Sequence, residues 1–294
     1  MKKLYITLFL ASFVTVGVAV YMLAVHGLNL GIDFRGGSVI ELSYTEGNLP
    51  DVQLMTQTVV EKGGVEGAQV AQVGDRGIII RSRNLTENEH QNVLAAIKTL
   101  PGTFQEQRFE SIGPSLGDEL RQSSMTAIIV VIIAIMLYIS LVFRSMGRVV
   151  SPWAMGAAAF VSLAHDVVIT LGIFAYLGAY HGVEINAIFV AVTLTILSYS
   201  ISDTVIVFDR VRENVIRLGG KESFFLLVHK SIKQTLTRSI NSSMTTILAL
   251  AAIYLFGGES IKYFALALMI GIALGTYSSI FVASPVLMWW GRSK

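Results

Sequence analysis

Six long apolar stretches, separated by short polar segments, dominate the pattern of this chain. Each is long enough for a helix that crosses a hydrocarbon core, which needs roughly 20 residues. The stretches run approximately over 4–25, 125–143, 152–177, 186–208, 238–256 and 263–290. The longest polar interruption separates the first stretch from the second. This pattern predicts an α-helical polytopic membrane protein with six transmembrane helices and a soluble insert after the first.

The insert, residues 26–122, has the patterns of a small α+β domain. Strand-like alternation covers 38–44, 69–73, 78–83 and 104–112. Apolar residues recur at helical spacing in 52–61, and a GDRG turn favours a hairpin between the second and third strands. Thr86 and Glu89 form a capping box for a helix that reaches Ile97. The order β-α-β-β-α-β predicts a ferredoxin-like domain with a binding or mechanical role.

The chain is therefore divided into three parts. The first apolar stretch is about 22 residues long, which exceeds the core of a secretory signal and predicts an uncleaved anchor. The predicted parts are a first transmembrane helix (1–25), the ferredoxin-like domain (26–122) and a five-helix transmembrane domain (123–294). The last part contains a basic loop at 210–237.

Lysine and arginine are concentrated in alternate loops, and this orients the helices. On one side, the short loops 178–185 and 257–262 carry only Lys262. The other side carries seven basic residues within 210–238, together with Lys2, Lys3, Arg144, Arg148, Arg292 and Lys294. We expect both termini in the cytoplasm and the domain 26–122 on the far side of the membrane.

The basic loop contains a predicted amphipathic helix. Phe224, Phe225, Val228 and Ile232 share one helical face, while Lys230 and other basic residues lie elsewhere. Such a helix is typical of the membrane surface. Two interpretations stay open: a connector held by anionic membrane lipid, or a docking site for a partner.

Composition and motifs exclude several kinds of site. Apolar residues make up 53% of the chain and charged residues 14%, as in a polytopic membrane protein. The absence of cysteine excludes disulfides and thiolate nucleophiles. GGKES at 219–223 lacks the spacing of a phosphate-binding loop, and the zinc-protease and serine-hydrolase signatures are absent. We expect no enzyme activity, metal or cofactor, and no nucleic-acid partner.

Asp203 is the one ionisable residue within the fourth apolar stretch. A charge at membrane depth costs several kcal/mol, so such residues usually face a protein interior or a water path and have a function. The charged sequence that starts at Asp209 fixes the membrane boundary, and Asp203 lies roughly 9 Å inside it. This placement predicts a proton or ion site.

Helical spacing suggests a partner for this aspartate. On the fourth span, Ser200 and Thr204 share a side with Asp203, and on the fifth, Arg238 and Asn241 share a face. We expect Asp203 and Arg238 to pair directly or through water, with a contact that changes as the aspartate binds and releases an ion. The alternative is a permanent ion pair that only fixes helix packing.

A second membrane carboxylate lies in the third span, where His165 precedes Asp166. The pair fits a second protonation site. It fits equally well a polar contact between helices, because Ser, Thr and His often hydrogen-bond across transmembrane helices. Both interpretations stay open from the sequence.

Four segments together resemble the SecF branch of the SecD/SecF family of protein-export membrane proteins. They are GIDFRGG (31–37), LAHDVVITLG (163–172), SYSISDTVIVFDRVREN (198–214) and TLTRSINSSMTTILALAAIYLFGG (235–258). The resemblance covers nearly the whole chain. Family members commonly carry Asn before the membrane Asp, where this chain has Ser202.

The resemblance implies an accessory subunit of the bacterial Sec translocase. It implies pairing with SecD into a twelve-span complex similar in plan to resistance-nodulation-division exporters, in the inner membrane with 26–122 in the periplasm. Such a complex uses the proton or sodium gradient in preprotein export, alongside the SecYEG translocon, YidC and YajC. Asp203 and Arg238 match the ion-pathway positions of the family.

The predicted site has two sets of residues. The ion-pathway set adds Asp166, Ser202, Thr204 and Asn241 to Asp203 and Arg238. The motif set comprises Asp33, Phe34, Gly36, Gly37, Asp209 and Arg210.

Two other functions fit parts of the pattern. An intramembrane aspartyl protease needs two membrane aspartates, but this chain has HD and SISD where that family has YD and GxGD. A stand-alone small-molecule or lipid exporter of the resistance-nodulation-division type has a similar plan. Such exporters usually hold both halves in one chain and have larger domains outside the membrane.

Overall fold

A computed structural model describes residues 2–47, 49–218 and 222–290. The chain divides into two compact units. One comprises Met1–Asn29 with Met125–Lys294, and the other comprises Leu30–Ser124. Arg292 and Lys294, which contribute to the predicted orientation, lie outside the described residues.

The helices and strands follow in this order: α1 (Lys2–His26), α2 (Ile32–Arg35), β1 (Gly37–Glu46), α3 (Val52–Glu61), β2 (Gln69–Val73), β3 (Gly77–Ser82), α4 (Glu87–Ile97), β4 (Thr103–Ile112), α5 (Pro114–Val142), a 3₁₀ turn (Arg144–Arg148), α6 (Pro152–His181), α7 (Ala187–Leu218), α8 (Phe224–Phe256), α9 (Glu259–Ser278), a π-helical turn (Ser279–Ala283) and α10 (Ser284–Trp290).

In the part of the chain that the structure describes, six helical segments are long and apolar enough to cross a membrane, which confirms the six predicted stretches by length and composition. They are Lys3–His26, Pro114–Val142, Pro152–His181, Ala187–Leu218, Phe224–Phe256 and Ile261–Trp290. The last combines α9, the π-helical turn and α10. The chain is thus a multi-pass membrane protein.

The structure differs from the prediction at the basic loop 210–237. α7 continues to Leu218, and α8 starts at Phe224 and runs without interruption through the fifth apolar stretch to Phe256. The predicted amphipathic helix is therefore the first part of α8 and not a separate surface helix. No Gly or Pro occurs within α8, so nothing stops the helix where the hydropathy pattern changes.

Close helix packing in the membrane unit depends on glycines, as the spacing of Gly271 and Gly275 predicts. A Cβ on Gly275 would lie 3.0 Å from Ser200 Cα, and one on Gly271 would lie 2.3 Å from the side chain of Ile196. α9 consequently packs directly against the backbone of α7. This contact brings the polar side chains of the two helices within hydrogen-bonding distance.

The second unit contains a four-stranded sheet with the order β2-β3-β1-β4. All three strand pairs are antiparallel. The inward-facing residues of the central strands, such as Leu42 and Ile80, pack against Met55 of α3 and Ile97 of α4. The element order and most boundaries agree with the sequence pattern, including the hairpin at Gly74.

The GG motif forms a turn that needs glycine. Gly36 and Gly37 both have positive φ, at 75° and 126°. A Cβ on Gly36 would lie 2.8 Å from Pro114 Cα, and one on Gly37 would lie 2.7 Å from the carbonyl oxygen of Ser82. The preceding Phe34 is buried, and Asp33 contributes a favourable charge near Arg108. The turn at Gly36 therefore lies against Pro114, the first residue of α5.

The predicted capping box is present at the start of α4. The Thr86 backbone N–H donates to Glu89 at 2.8 Å, and the Thr86 hydroxyl accepts from the Glu89 backbone N–H. Arg83 donates to the other Glu89 oxygen at 2.5 Å. The hydrogen bond from Arg83, followed by those from Thr86, lowers the pKa of Glu89 from 4.5 to about 2.

We expect α4 to become less stable as the pH falls from 4.5 towards 2, because Glu89 has the lower pKa only in the folded state. Its contribution is complete above pH 4.5 and disappears as the folded carboxylate is protonated. Hydrogen exchange of the α4 amides in the full chain measures this loss. Glu89→Gln keeps the cap geometry without a titrating group, so its profile is expected to be flatter. Glu61→Gln is the control and should follow the wild type.

Candidate ion-binding site

Asp203 lies on α7 at a point where three helices meet. It is 3% exposed. The Thr276 hydroxyl on α9 donates to Asp203 Oδ2 at 2.9 Å, and the hydroxyls of Ser243 and Thr276 are 2.5 Å apart. Ser239 and Ser243 on α8 also face the carboxyl group. The partners of this membrane carboxylate are thus hydroxyl groups from two neighbouring helices.

The surroundings of Asp203 follow from helix periodicity. Ser239 and Ser243 are four residues apart, so they lie on one face of α8. Within the described ranges, Ser239 Oγ is buried without a hydrogen bond of normal geometry. The buried face of α8 thus places two serine hydroxyls beside this carboxylate.

The structure does not form the predicted pair between Asp203 and Arg238. Arg238 lies on the exposed side of α8, and none of the ion pairs found among the described residues joins it to Asp203. Consecutive helical residues point about 100° apart, so Ser239 takes the inward position that the prediction gave to Arg238. Asn241 and Ser202 are exposed as well. The buried face of α8 is offset by one residue from the predicted face.

Asp166 on α6 forms a second buried site and has no exposed surface. Ser200 Oγ on α7 and Ser278 Oγ on α9 donate to its Oδ2 at 2.6 and 2.8 Å. His165 Nδ1 lies 2.8 Å from its Oδ1. Ser162 Oγ donates to Ser278 Oγ at 2.8 Å. The hydrogen bonds offset the cost of burying this carboxylate.

His165 is the neighbour of Asp166 on α6 and contributes an imidazole ring to this site. Its ring is stacked near Tyr277, with centroids 6.1 Å apart. Its Nε2 is buried and has no hydrogen-bond partner in the described part of the chain. One ring nitrogen therefore contacts Asp166, while the other faces the buried interior of the helix bundle without a polar partner among the described residues.

Thr204 lies beside both sites without contacting either carboxylate. It is buried, and its Oγ1 is 2.9 Å from Ser279 Oγ, in the π-helical turn. Thr204 Oγ1 also donates to the backbone oxygen of Ser200 at 3.1 Å. π-helical turns often occur at functional sites because they alter the helix ladder locally.

The sequence interpretation missed the polar residues of the last span. Thr276 and Ser278 bind the two carboxylates, and Ser279 contacts Thr204. The available signal was the run TYSS immediately after Gly275, a glycine that permits close packing. In the described ranges, no group of three or more His, Cys, Asp or Glu side chains is placed to hold a metal ion.

Asp209 and Arg210 form side-chain contacts in the last part of α7. Asp209 pairs with Arg212 at 2.6 Å. Arg210 pairs with Glu213 at 2.5 Å and donates to Gln234 on α8 at 2.7 Å. Arg210 thus links α7 to α8, whereas Asp209 forms an ion pair within α7, and none of the contacts found among the described residues joins either of them to Asp203.

Comparison with protein families gives two matches. Residues 92–293 match the model of the protein export membrane protein SecD/SecF, C-terminal, and residues 21–47 match that of the SecD/SecF GG motif.

Curated relatives are similar over most of the chain. A protein translocase subunit SecF of Thermobaculum terrenum is 41% identical over 280 residues, with 92% of this chain and 87% of the relative covered. One from Vibrio alginolyticus is 36% identical over 293 residues, covering 97% and 88%.

A solved structure has a similar fold. The crystal structure of SecDF, a translocon-associated membrane protein from Thermus thermophilus, matches with a TM-score of 0.82 and 31% identity. The match covers 97% of this chain but 38% of the SecDF chain. A second SecDF structure, in a super-membrane-facing form, matches with a TM-score of 0.67.

Proposed function

Because the chain belongs to the SecD/SecF family of protein-export membrane proteins, we propose that it is an accessory subunit of the bacterial Sec protein translocase. The relatives named as translocase subunits SecF, which it matches over nearly their whole length, support this function. The proposal includes association with SecD and action alongside SecYEG, YidC and YajC on translocating preproteins.

The proposed SecD contact is a polar surface on α7 and α8. Exposed polar residues line it: Thr195, Ser198 and Ser202 on α7, and Arg238, Asn241, Ser242 and Thr245 on α8. Tyr199 links the two helices by hydrogen bonds to Ser242 and Thr246. Polar groups on a transmembrane surface are costly against lipid, which favours coverage by the helices of a partner.

Replacing Thr195 and Ser198 with leucine is expected to reduce the recovery of SecD on copurification by about tenfold. A loss near 1.4 kcal/mol gives that factor, which is the scale of interhelical hydrogen bonds in membranes. The matched control is Thr15→Leu, a change of an exposed hydroxyl on α1. If the recovery of SecD is undiminished, this surface is not part of the interface with SecD. Recovery of the chain alone with a bound small molecule would favour an exporter instead.

We propose that Asp203 couples export to an ion gradient. The observation that carries this proposal is a nearly buried carboxylate in an apolar helix, held by hydroxyls from α8 and α9. Moving one charge through 100 mV is worth about 2.3 kcal/mol, enough to change the balance between two conformations.

The test of this coupling is preprotein export into inside-out vesicles that contain the complex with SecD. Export is started with ATP, and the proton and sodium gradients are collapsed separately. Loss of export with only one gradient identifies the ion. Export that persists without either gradient would refute the coupling while leaving the subunit assignment intact.

We also propose that the chain lies in the inner membrane with both termini in the cytoplasm and the domain 26–122 in the periplasm. The distribution of lysine and arginine supports this orientation. The sheet order β2-β3-β1-β4, with α3 and α4 as the connections, supports a ferredoxin-like domain.

A further inference from the structure

Three consecutive residues of α9 contact three other helices. Thr276 donates to Asp203 on α7, and Ser278 donates to Asp166 on α6. Between them, the Tyr277 hydroxyl donates to the backbone oxygen of Leu8 on α1 at 2.9 Å and accepts from Ser12 at 3.0 Å. The two carboxylates therefore have hydrogen-bond donors on one short segment.

The hydroxyls of Thr276 and Ser278 each have a second acceptor on α9. Thr276 Oγ1 lies 3.2 Å from the carbonyl oxygen of Ile272, and Ser278 Oγ lies 3.2 Å from that of Gly275. A hydroxyl carries one proton and donates to one group at a time. Protonation makes a carboxylate a weaker acceptor, which favours donation by the facing hydroxyl to the α9 backbone.

The backbone next to this segment departs from α-helical geometry. The π-helical turn Ser279–Ala283 follows directly, and Ser284 donates to the carbonyl oxygen of Ser279 at 2.7 Å. Hydrogen bonds from Ser and Thr to the preceding turn bend helices. A change of hydroxyl partner at Thr276 or Ser278 therefore acts on the part of the helix that departs from α geometry.

We propose that Thr276, Tyr277 and Ser278 form a coupling segment that makes proton binding at Asp203 and at the His165–Asp166 pair depend on each other. The proposal rests on the proposed function of Asp203 as a proton carrier. Tyr277 extends the coupling to α1 by its hydroxyl and to His165 by its ring. α1 is the helix that leads into the soluble unit.

Among the described residues, the groups that contact the two carboxylates are mostly hydroxyls, and His165 is the one imidazole. Around Asp166, α6 contributes His165, α9 contributes Ser278 with Tyr277 beside it, and α7 contributes Ser200. Around Asp203, α8 contributes Ser239 and Ser243, and α9 contributes Thr276. The contacts that connect Asp203 and Asp166 through α9 are consequently made by hydroxyl groups.

The test is infrared spectroscopy of the reconstituted complex with SecD across a pH titration. The carbonyl band of protonated Asp203 is assigned by its loss in Asp203→Asn. In the wild type, Asp166→Asn is expected to move the titration midpoint of Asp203 by about one pH unit or more, the scale of coupled sites. In Thr276→Val/Ser278→Ala, the same change is expected to move it by less than about a third of that.

A matched control removes two hydroxyls that bond to their own helices. Thr15 on α1 and Ser140 on α5 donate to the carbonyl oxygens of Ala11 and Met136. The variant Thr15→Val/Ser140→Ala should keep the full effect of Asp166→Asn.

Three outcomes contradict the proposal in different ways. An equal midpoint shift with and without the hydroxyls would show a direct charge effect and exclude the coupling segment. If Asp166→Asn leaves the titration midpoint of Asp203 unchanged in an otherwise wild-type chain, the two sites are independent. If Asp203 does not titrate at all, the proposed proton function of Asp203 fails and the coupling fails with it.

Discussion

The Asp203→Asn variant is expected to assemble with SecD and to lose the gradient-dependent part of preprotein export. Asparagine keeps the size of the side chain and an oxygen that accepts from Thr276, so the packing of α7 against α9 is retained. It neither binds nor releases a proton at accessible pH, and the membrane gradient then has no charge to move. Export into inside-out vesicles, with and without the gradient, measures the difference.

The control for this variant is Asp75→Asn, in the exposed hairpin turn of the soluble unit. It removes one carboxylate from the same chain without affecting the membrane helices, and it should export as the wild type does. Gradient-dependent export by Asp203→Asn at the wild-type level would exclude Asp203 as the coupling residue. Failure to recover SecD with the variant would assign Asp203 a role in assembly.

The second large effect is expected at Asp166, where alanine should destabilise the membrane unit by about 3 kcal/mol. The change leaves His165, Ser200 and Ser278 without their shared acceptor in a buried site. Each buried polar group without a partner costs about 1–3 kcal/mol, partly recovered when serines bond to their own helix. Unfolding in mixed micelles of increasing denaturing detergent measures the loss.

A double variant separates the carboxylate from the packing around it. Replacing His165 with Phe and Asp166 with Leu fills the site with apolar groups, a replacement that is often neutral for buried charged pairs. We expect this variant to recover most of the stability and none of the coupling to Asp203. Wild-type stability in Asp166→Ala would contradict a structural contribution from this pair.

Local signals in the sequence were sufficient for the soluble unit. The capping box at Thr86 and the positive-φ glycine of the hairpin, Gly74, act within a few residues, so the element order follows from neighbouring positions. The six spans follow likewise from hydropathy, because length and composition decide whether a helix crosses a membrane. Where α8 begins was not predictable from hydropathy, since its polar first part is equally helical.

The contacts of Asp203 depend on which face of α8 is buried, and the sequence left that ambiguous. Polar residues occur on both faces: Arg238 and Asn241 on the exposed side, Ser239 and Ser243 on the buried side. The prediction placed Arg238 beside Asp203 because arginine carries a charge, whereas serine does not. Serine and threonine bond readily to their own helix, so only tertiary packing shows that Thr276 and Ser278 bind carboxylates.

The uninterrupted course of α8 has a mechanical consequence. The helix has 33 residues, a rod of about 50 Å, and Ser239 lies near its midpoint. Asp203 thus faces α8 close to the middle of its length. A tilt of about 5° there displaces each end by roughly 2 Å in opposite directions, since each arm is about 24 Å long. A change in the contact between Asp203 and the middle of α8 would therefore move both ends of this helix, each about 24 Å away.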